Sequence, residues 1–225
     1  IISTFDEINR GSKGSLTNVR TNNKEFLNVR DPRITDLTLG SYFKFSKDIY
    51  GRITIGYLEE MYAGISSEIL SAPINSNIAF GIELNNVKYR DSRQLLDLQN
   101  LEGLSTINGH LTSYWDTKFY DYHAKLDLGK YLAGDKGGTL TIKRDFSNGW
   151  EVGGLFSLTD ATFQEFGEGS FDKAIFFKIP LNPLLPYETR GNIYELIRPL
   201  SGDGGAKVKV KERLYDVVNE YSKNN

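Results

Sequence analysis

The 225 residues carry 27 basic and 29 acidic side chains, a formal charge of -2, so no broad positive field exists and nucleic acid is excluded as a partner. Cysteine is absent, which rules out a disulfide framework and any thiolate metal site. No run approaches the roughly 18 to 20 consecutive apolar residues of a membrane-spanning helix, so a helical membrane protein is excluded too.

Only 39% of the residues are hydrophobic, yet 13 Tyr, 13 Phe and 2 Trp make the chain rich in rings, and Gly reaches 22. Aromatic side chains fit a pleated surface and Gly supplies turn conformations, so the composition predicts a helix-poor, strand-rich chain. The opening "IISTFDEINRGSKG" lacks the basic start and apolar middle of a secretion signal. A first residue that is not Met predicts a processed chain or a fragment.

Residues 1–36 show no sustained period and are read as a polar connecting segment. From Leu37 to about residue 200 the apolar positions alternate. One strand is predicted near 37–46, with Leu37, Leu39, Phe43 and Phe45 opposite Thr38, Tyr42 and Lys44. A second covers 49–57, with Ile49, Ile53, Ile55 and Tyr57 opposite Arg52, Thr54 and Gly56. Met61 to Ala72 sets Met61, Ala63, Ile65 and Ile69 against Gly64, Ser66 and Glu68; "PINSN" at 73–77 then turns the chain into a fourth strand. That strand separates Ile78, Phe80, Ile82 and Leu84 from Ala79, Gly81, Glu83 and Asn85.

Residues 107–117 place Ile107, Leu111 and Trp115 opposite Asn108, His110 and Asp116; residues 122–130 place Tyr122, Ala124, Leu126 and Leu128 opposite His123, Lys125 and Asp127. A hairpin over 137–160 is expected to turn on the two residues Asn148-Gly149. Further strands are predicted over 171–181 and near 189–198, about ten in all. Residues 201–225 are read as a tail in which Leu214, Val217, Val218 and Tyr221 have the spacing of a short helix.

Alternation alone fits a soluble β-sandwich with a polar skin or a membrane barrel with a wet interior. Several runs reach the roughly 9 to 11 residues of a tilted membrane strand. Tyr57, Tyr62, Tyr114, Trp115, Tyr120, Tyr122 and Trp150 lie near predicted strand ends, where membrane interfaces favour amphipathic rings.

Longer phrases carry a resemblance: "SLTNVRT" near residue 15, "GYLEEMYAG" (56–64), "KYLAGDKGGTL" (130–140), "FQEFGEGSFDKAIFFKIPL" (163–181) and "RPLSGDGGAKV" (198–208). In this order the chain resembles the YjbH, or GfcD-like, family of outer-membrane proteins linked to exopolysaccharide and capsule production. The resemblance implies an antiparallel up-and-down transmembrane β-barrel, or a contiguous section of one, in a Gram-negative outer membrane. It also implies membrane lipid, exopolysaccharide and other secretion components as partners. Family members are longer, and this chain resembles their C-terminal portion. Lys136 stands where the family usually has an aromatic, and the connection from Ser92 to Leu104 is unusual.

Chemistry is sparsely signalled. Glu59 and Glu60 are adjacent, so in a strand they point to opposite faces and cannot share a reacting bond; a structural role at a lumen or rim position, accepting bonds from amides or a basic residue, is expected. Glu165, Glu168 and Asp172 lie in a glycine-bearing loop without the spacing of a calcium loop. His110 and His123 have no nucleophile elbow beside them. Gly137-Gly138 and the "GDGG" at 202–205 lack the Lys-Ser or Lys-Thr of a phosphate loop and are expected to be turns.

No catalytic residue, metal or cofactor is expected. The lumen-facing candidates for polysaccharide contact are Lys44, Arg52, Glu83, Asn85, Lys125 and Asp127. The alternative is a soluble periplasmic carbohydrate-binding sandwich or polysaccharide-modifying enzyme with Trp115, Trp150 or Tyr120 as a stacking platform. A charge on the outward row separates the two. Ile82→Asp should damage membrane insertion at a cost on the order of a few kcal/mol, while Glu83→Gln should spare it, as read by an insertion assay.

Overall fold

The computed structural model describes residues 16–20, 26, 34–91, 97–99, 101–162, 171–182, 189, 191–198 and 203–223. Most of the 1–36 segment, the loop bearing Glu165 and Glu168, and part of the 92–104 connection lie outside them. Among the described residues eleven strands follow one another: β1 (Leu37–Lys44), β2 (Ile49–Tyr57), β3 (Tyr62–Ser71), β4 (Ile78–Arg90), β5 (Leu98–Gln99), β6 (Ile107–Asp116), β7 (Tyr122–Lys130), β8 (Lys136–Asp145), β9 (Glu151–Thr159), β10 (Asp172–Pro180) and β11 (Asn192–Ile197). A helix, α1 (Leu214–Lys223), closes the order.

Every pairing is antiparallel, and the main path runs β1-β2-β3-β4-β6-β7-β8-β9-β10-β11. The two-residue β5 adds to the end of β4, at Tyr89 and Arg90. The fold is thus an all-β up-and-down sheet, as the alternation predicts. Among the described residues no pairing joins β1 to β11, so the sheet is open.

The register sorts side chains by polarity. Ile82 pairs with Ile69 on β3 and Leu111 on β6, while Glu83 pairs with Glu68 and His110. Along β4 the apolar row faces outward, with Ile82 54% and Leu84 60% exposed, whereas Glu83 is 4% exposed. The same holds across the sheet: Ile53, Ile55, Ile65, Ile107, Leu111, Leu128 and Ile175 are exposed, while Arg52, Ser66, Glu68, Asn108, Thr112 and Asp127 are buried. No second sheet packs on the apolar face among the described residues; the dry two-layer core of a sandwich is missing.

Apolar packing occurs instead on the polar side, at the two ends of the strands. At one end Leu58, Met61, Tyr62, Val87, Tyr89 and Leu132 pack with Val19, Val208 and Val210. At the other, Leu70, Ala79 and Tyr114 receive Leu214 of α1. These clusters correct the expected face of Met61, which is buried, and remove Tyr62 and Tyr114 from any outer aromatic belt. Tyr62 turns inward because its hydroxyl donates to the Val19 carbonyl at 2.9 Å. Trp115, Tyr120, Tyr122 and Trp150 remain exposed near the opposite rim, beside Phe119 and Phe146.

Two turns differ from the sequence expectation. Gly137 and Gly138 are not a turn: they lie inside β8, opposite Gly129 and Leu128 on β7. The β8–β9 hairpin turns on three residues rather than on Asn148-Gly149 alone. Gly149 N–H donates to Phe146 O at 2.8 Å, Phe146 N–H donates to Trp150 O at 2.8 Å, and Gly149 has φ +84°. The β7–β8 hairpin repeats the pattern, with Gly134 (φ +89°) donating to Tyr131 O and Tyr131 to Asp135 O. A three-residue loop of this kind requires a left-handed residue in third place, the role that Gly fills without strain.

A Cβ at Gly134 would have open space, with nothing nearer than 3.9 Å, so Gly134→Ala isolates the backbone cost. The substitution should lower stability by about 1 kcal/mol in chemical denaturation, and Gly134→Asn by less, because Asn enters the left-handed region more readily.

Candidate functional site

A polar sheet face buried from solvent needs partners for its charges. The chain after residue 203 supplies them. Read in sequence as part of a tail with a short helix, residues 203–213 form an extended strap across the polar face, and α1 continues it. Ala206, Val208 and Val210 are buried on one side of the strap, alternating with Lys207, Lys209 and Lys211. That period of two in "AKVKVK" was the available signal for an extended, half-buried segment.

The strap is tied down along its length. Gly205 N–H donates to Asp135 Oδ2 at 2.8 Å, and Leu132 N–H donates to Ala206 O at 3.0 Å. Lys207 Nζ donates to Asp127 Oδ1 at 2.7 Å, an oxygen that also accepts from Thr112 Oγ1 at 2.7 Å. Burial pushes the Lys207 ammonium down to about 8, a shift that the neighbouring Asp127 opposes. Arg213 makes a two-pronged contact with Glu83, Nε to Oε2 at 2.8 Å and Nη2 to Oε1 at 3.2 Å, and also donates to Val208 O at 2.7 Å. Glu83 holds the Arg213 guanidinium above its ordinary value despite burial. At the start of α1, Leu214 N–H donates to Glu68 Oε2 at 3.0 Å, which places a carboxylate at the helix N-terminus. The Tyr215 ring stacks on Tyr114 with centroids 3.8 Å apart.

Beneath the strap the sheet carries its own network. Arg52 donates from Nε to Glu68 Oε2 at 2.9 Å and from Nη1 to Thr54 Oγ1 at 2.8 Å, and lies 3.5 Å from Glu83. Asn85 bridges Glu83 and Asn108, both at 3.1 Å. His110 is buried with its ring 4.6 Å from Tyr131. At the far end Glu59 accepts from both Arg20 nitrogens, at 2.6 and 3.1 Å, and from Lys209 N–H at 3.2 Å. Glu59 thus has the structural role expected for the Glu59-Glu60 pair, a basic residue and an amide both donating to it.

The six residues singled out in sequence divide accordingly. Arg52, Glu83, Asn85 and Asp127 come together on one face, each nearly sealed by strap or neighbour; Arg52 is 1% exposed. Lys125 shares the face, 3.2 Å from Asp127 but partly open to solvent. Lys44 sits apart on the edge strand β1, its ammonium 5.7 Å from the Tyr50 ring. Sequence reasoning missed Lys207, Arg213 and Arg20, the cations that complete the network, because they lie far along the chain from the carboxylates they meet. Among the described residues no group of three His, Asp or Glu side chains is arranged to hold a metal ion.

Removing one member of such a buried network costs more than the network contributes, since a charge is left unpaired. Arg213→Met should therefore loosen the strap by about 3 kcal/mol, read as roughly 100-fold faster hydrogen exchange over residues 206–214. Lys211→Met, which removes an exposed pair with Asp36 at 2.7 Å, should change exchange less than threefold.

A family model described as "Exopolysaccharide biosynthesis protein YbjH" matches residues 1–220. The chain is 37% identical over 221 residues to "Uncharacterized lipoprotein YjbH" of Escherichia coli (strain K12). That alignment covers 98% of this chain and 32% of the relative, so the chain spans about a third of the relative's length. No solved structure matches it. The inside-out sheet described above is accordingly that of a chain belonging to the YjbH exopolysaccharide biosynthesis family.

Proposed function

We propose that this chain is a section of outer-membrane β-barrel wall that assists exopolysaccharide secretion without catalysing a covalent step. The observation that carries the reading is the distribution of polarity. Hydrocarbon tails are the solvent that suits a continuous outward surface of Ile, Leu and Phe, whereas the opposite face collects charge, as the wet interior of a barrel does. Strand lengths agree with it: β2, β3 and β6 to β10 run nine or ten residues and β4 thirteen, within reach of a tilted bilayer crossing. Exposed rings near one rim, Trp115, Tyr120 and Trp150 among them, suit a membrane interface. Membership of an exopolysaccharide biosynthesis family supports the polysaccharide as cargo, and the name lipoprotein borne by the E. coli relative supports an envelope location.

On this reading the open edges β1 and β11 meet further strands or each other, and the polar face lines an aqueous space through which selectivity arises from size and charge. Strap and α1 then stand inside that space, and Glu59, Glu83 and Asp127 hold them there rather than act on a bond.

Single cysteines placed from residue 78 to 90 in native membranes test the proposal. Positions 78, 80, 82 and 84 should be refractory to a water-soluble maleimide and reactive to a lipid-soluble one. Protein that folds and stays monodisperse without detergent, with those four positions labelled from water, would reject it. Ile82→Asp should reduce the folded, heat-modifiable form on a denaturing gel at least tenfold, from a charge cost of about 2 kcal/mol.

A further inference from the structure

The strap covers only part of the polar face. Its contacts fall on Tyr42 of β1, on β3, β4 and β7, on the turn after β7 and, beside Gly205, on Ser157 of β9; α1 rests on β2, β3 and, through Tyr215, on Tyr114 of β6 near the rim. Beside this sealed area, on the rim half of β6 to β11, the same face carries a second set of charges with no strap over it among the described residues, α1 standing beside its Asp116 end. Asp116 lies 3.7 Å from His123, which lies 3.4 Å from Asp145. Lys143 bridges Asp145 at 3.0 Å and Glu151 at 2.9 Å, and Lys178 reaches Glu151 from the other side at 2.7 Å. These six side chains retain between 19% and 38% exposure, whereas Arg52, Glu83, Asn85 and Asp127 are at 4% or less.

The row ends on a ring. Lys178 is paired across the sheet with Tyr194, which is 55% exposed and stacks on Phe176 with centroids 5.8 Å apart. From β6 to β11 the row crosses five strand spacings, about 24 Å, long enough to touch several sugar units at once. Its chemistry is balanced: with Lys118 paired to Asp116, three carboxylates face three ammonium groups and one imidazole. A strongly charged polymer of either sign would meet repulsion at alternate positions. A neutral, hydroxyl-rich chain can donate to the carboxylates and accept from the amines, while a sugar face lies on Tyr194.

We propose that this uncovered lane, from Asp116 through His123, Asp145, Lys143, Glu151 and Lys178 to Tyr194, is the surface that binds a neutral saccharide chain. The sealed residues Arg52, Glu83, Asn85 and Asp127 serve instead to hold the strap. The inference rests on the reading of the polar face as an aqueous wall.

The test uses the full-length protein in native envelope membranes, with His123→Cys, Lys178→Cys, Tyr194→Cys, Thr112→Cys and Ile82→Cys made one at a time. Each is treated with a water-soluble maleimide, with and without exopolysaccharide purified from the producing cells and, in parallel, polygalacturonate as an anionic probe. Labelling at residues 123, 178 and 194 should slow at least fivefold with the exopolysaccharide and stay unchanged with polygalacturonate, while residue 112 reacts slowly throughout. Tyr194→Ala should raise the polymer concentration needed to protect residue 123 about tenfold, and Tyr194→Phe should not. Unchanged labelling at all three lane positions, protection by the anionic probe instead, or protection confined to residue 112 would each overturn the assignment. Labelling of residue 82 at the rate of the lane positions would reject the membrane reading separately, because polymer protection at 123, 178 and 194 is scored independently of it.

Discussion

Glu83 lies between two guanidinium groups, Arg52 at 3.5 Å on the neighbouring part of the sheet and Arg213 at 2.8 Å on the strap. Arg52 already serves Glu68, so a single cation from the sheet would face two buried carboxylates. Burying a carboxylate without a partner is among the most expensive things a protein can do, and the second cation has to come from somewhere else in the chain. Arg213 brings it, Lys207 does the same for Asp127, and Arg20 for Glu59. The path of residues 203–214 is therefore set by where the sheet's unbalanced charges lie. Val208 and Val210 fill the gap between those fixed points.

Ion pairs of this kind contribute little net stability, because desolvation offsets most of the attraction. What they supply is register. Lys207 and Arg213 are six residues apart and meet carboxylates on different strands, β7 and β4, so sliding the strap by two residues would break both pairs together. The outer face has no comparable specification: its rows of Ile and Leu are interchangeable in chemistry, as suits contact with a fluid rather than with a fixed partner.

The sheet was legible in the sequence because its period of two is strict where one face is polar and the other apolar. β2 and β7 have the bounds expected from alternation, and the division of Ile82 from Glu83 follows from it. The rule failed where side chains answer to something other than the sheet. Met61 looks like a strand residue but lies just before β3, and with Tyr62 it belongs to a cluster built with Val19 and Val208, whose proximity no local pattern encodes. Gly137-Gly138 looks like a turn, yet the turn lies three residues earlier, at Gly134, where the backbone must become left-handed. For the site, alternation found four members of the sealed network and none of the cations that complete it. Contacts separated by 80 to 187 residues, such as Lys207 with Asp127, or Arg20 with Lys207, are tertiary facts.

The twin three-residue loops on either side of β8 bear on how the sheet assembles. Joining β7 to β8 and β8 to β9 requires closing only very short segments of chain, whereas β4 and β6 must find one another across residues 91–106. Chain entropy lost on closure grows with the length enclosed, so the tight meanders β1–β2–β3 and β7–β8–β9 close at less cost than the β4–β6 pairing. The strap, whose anchors are spread from β1 to the turn after β7, can dock only after those strands are in place, which makes its arrival a late step in maturation rather than a guide to it.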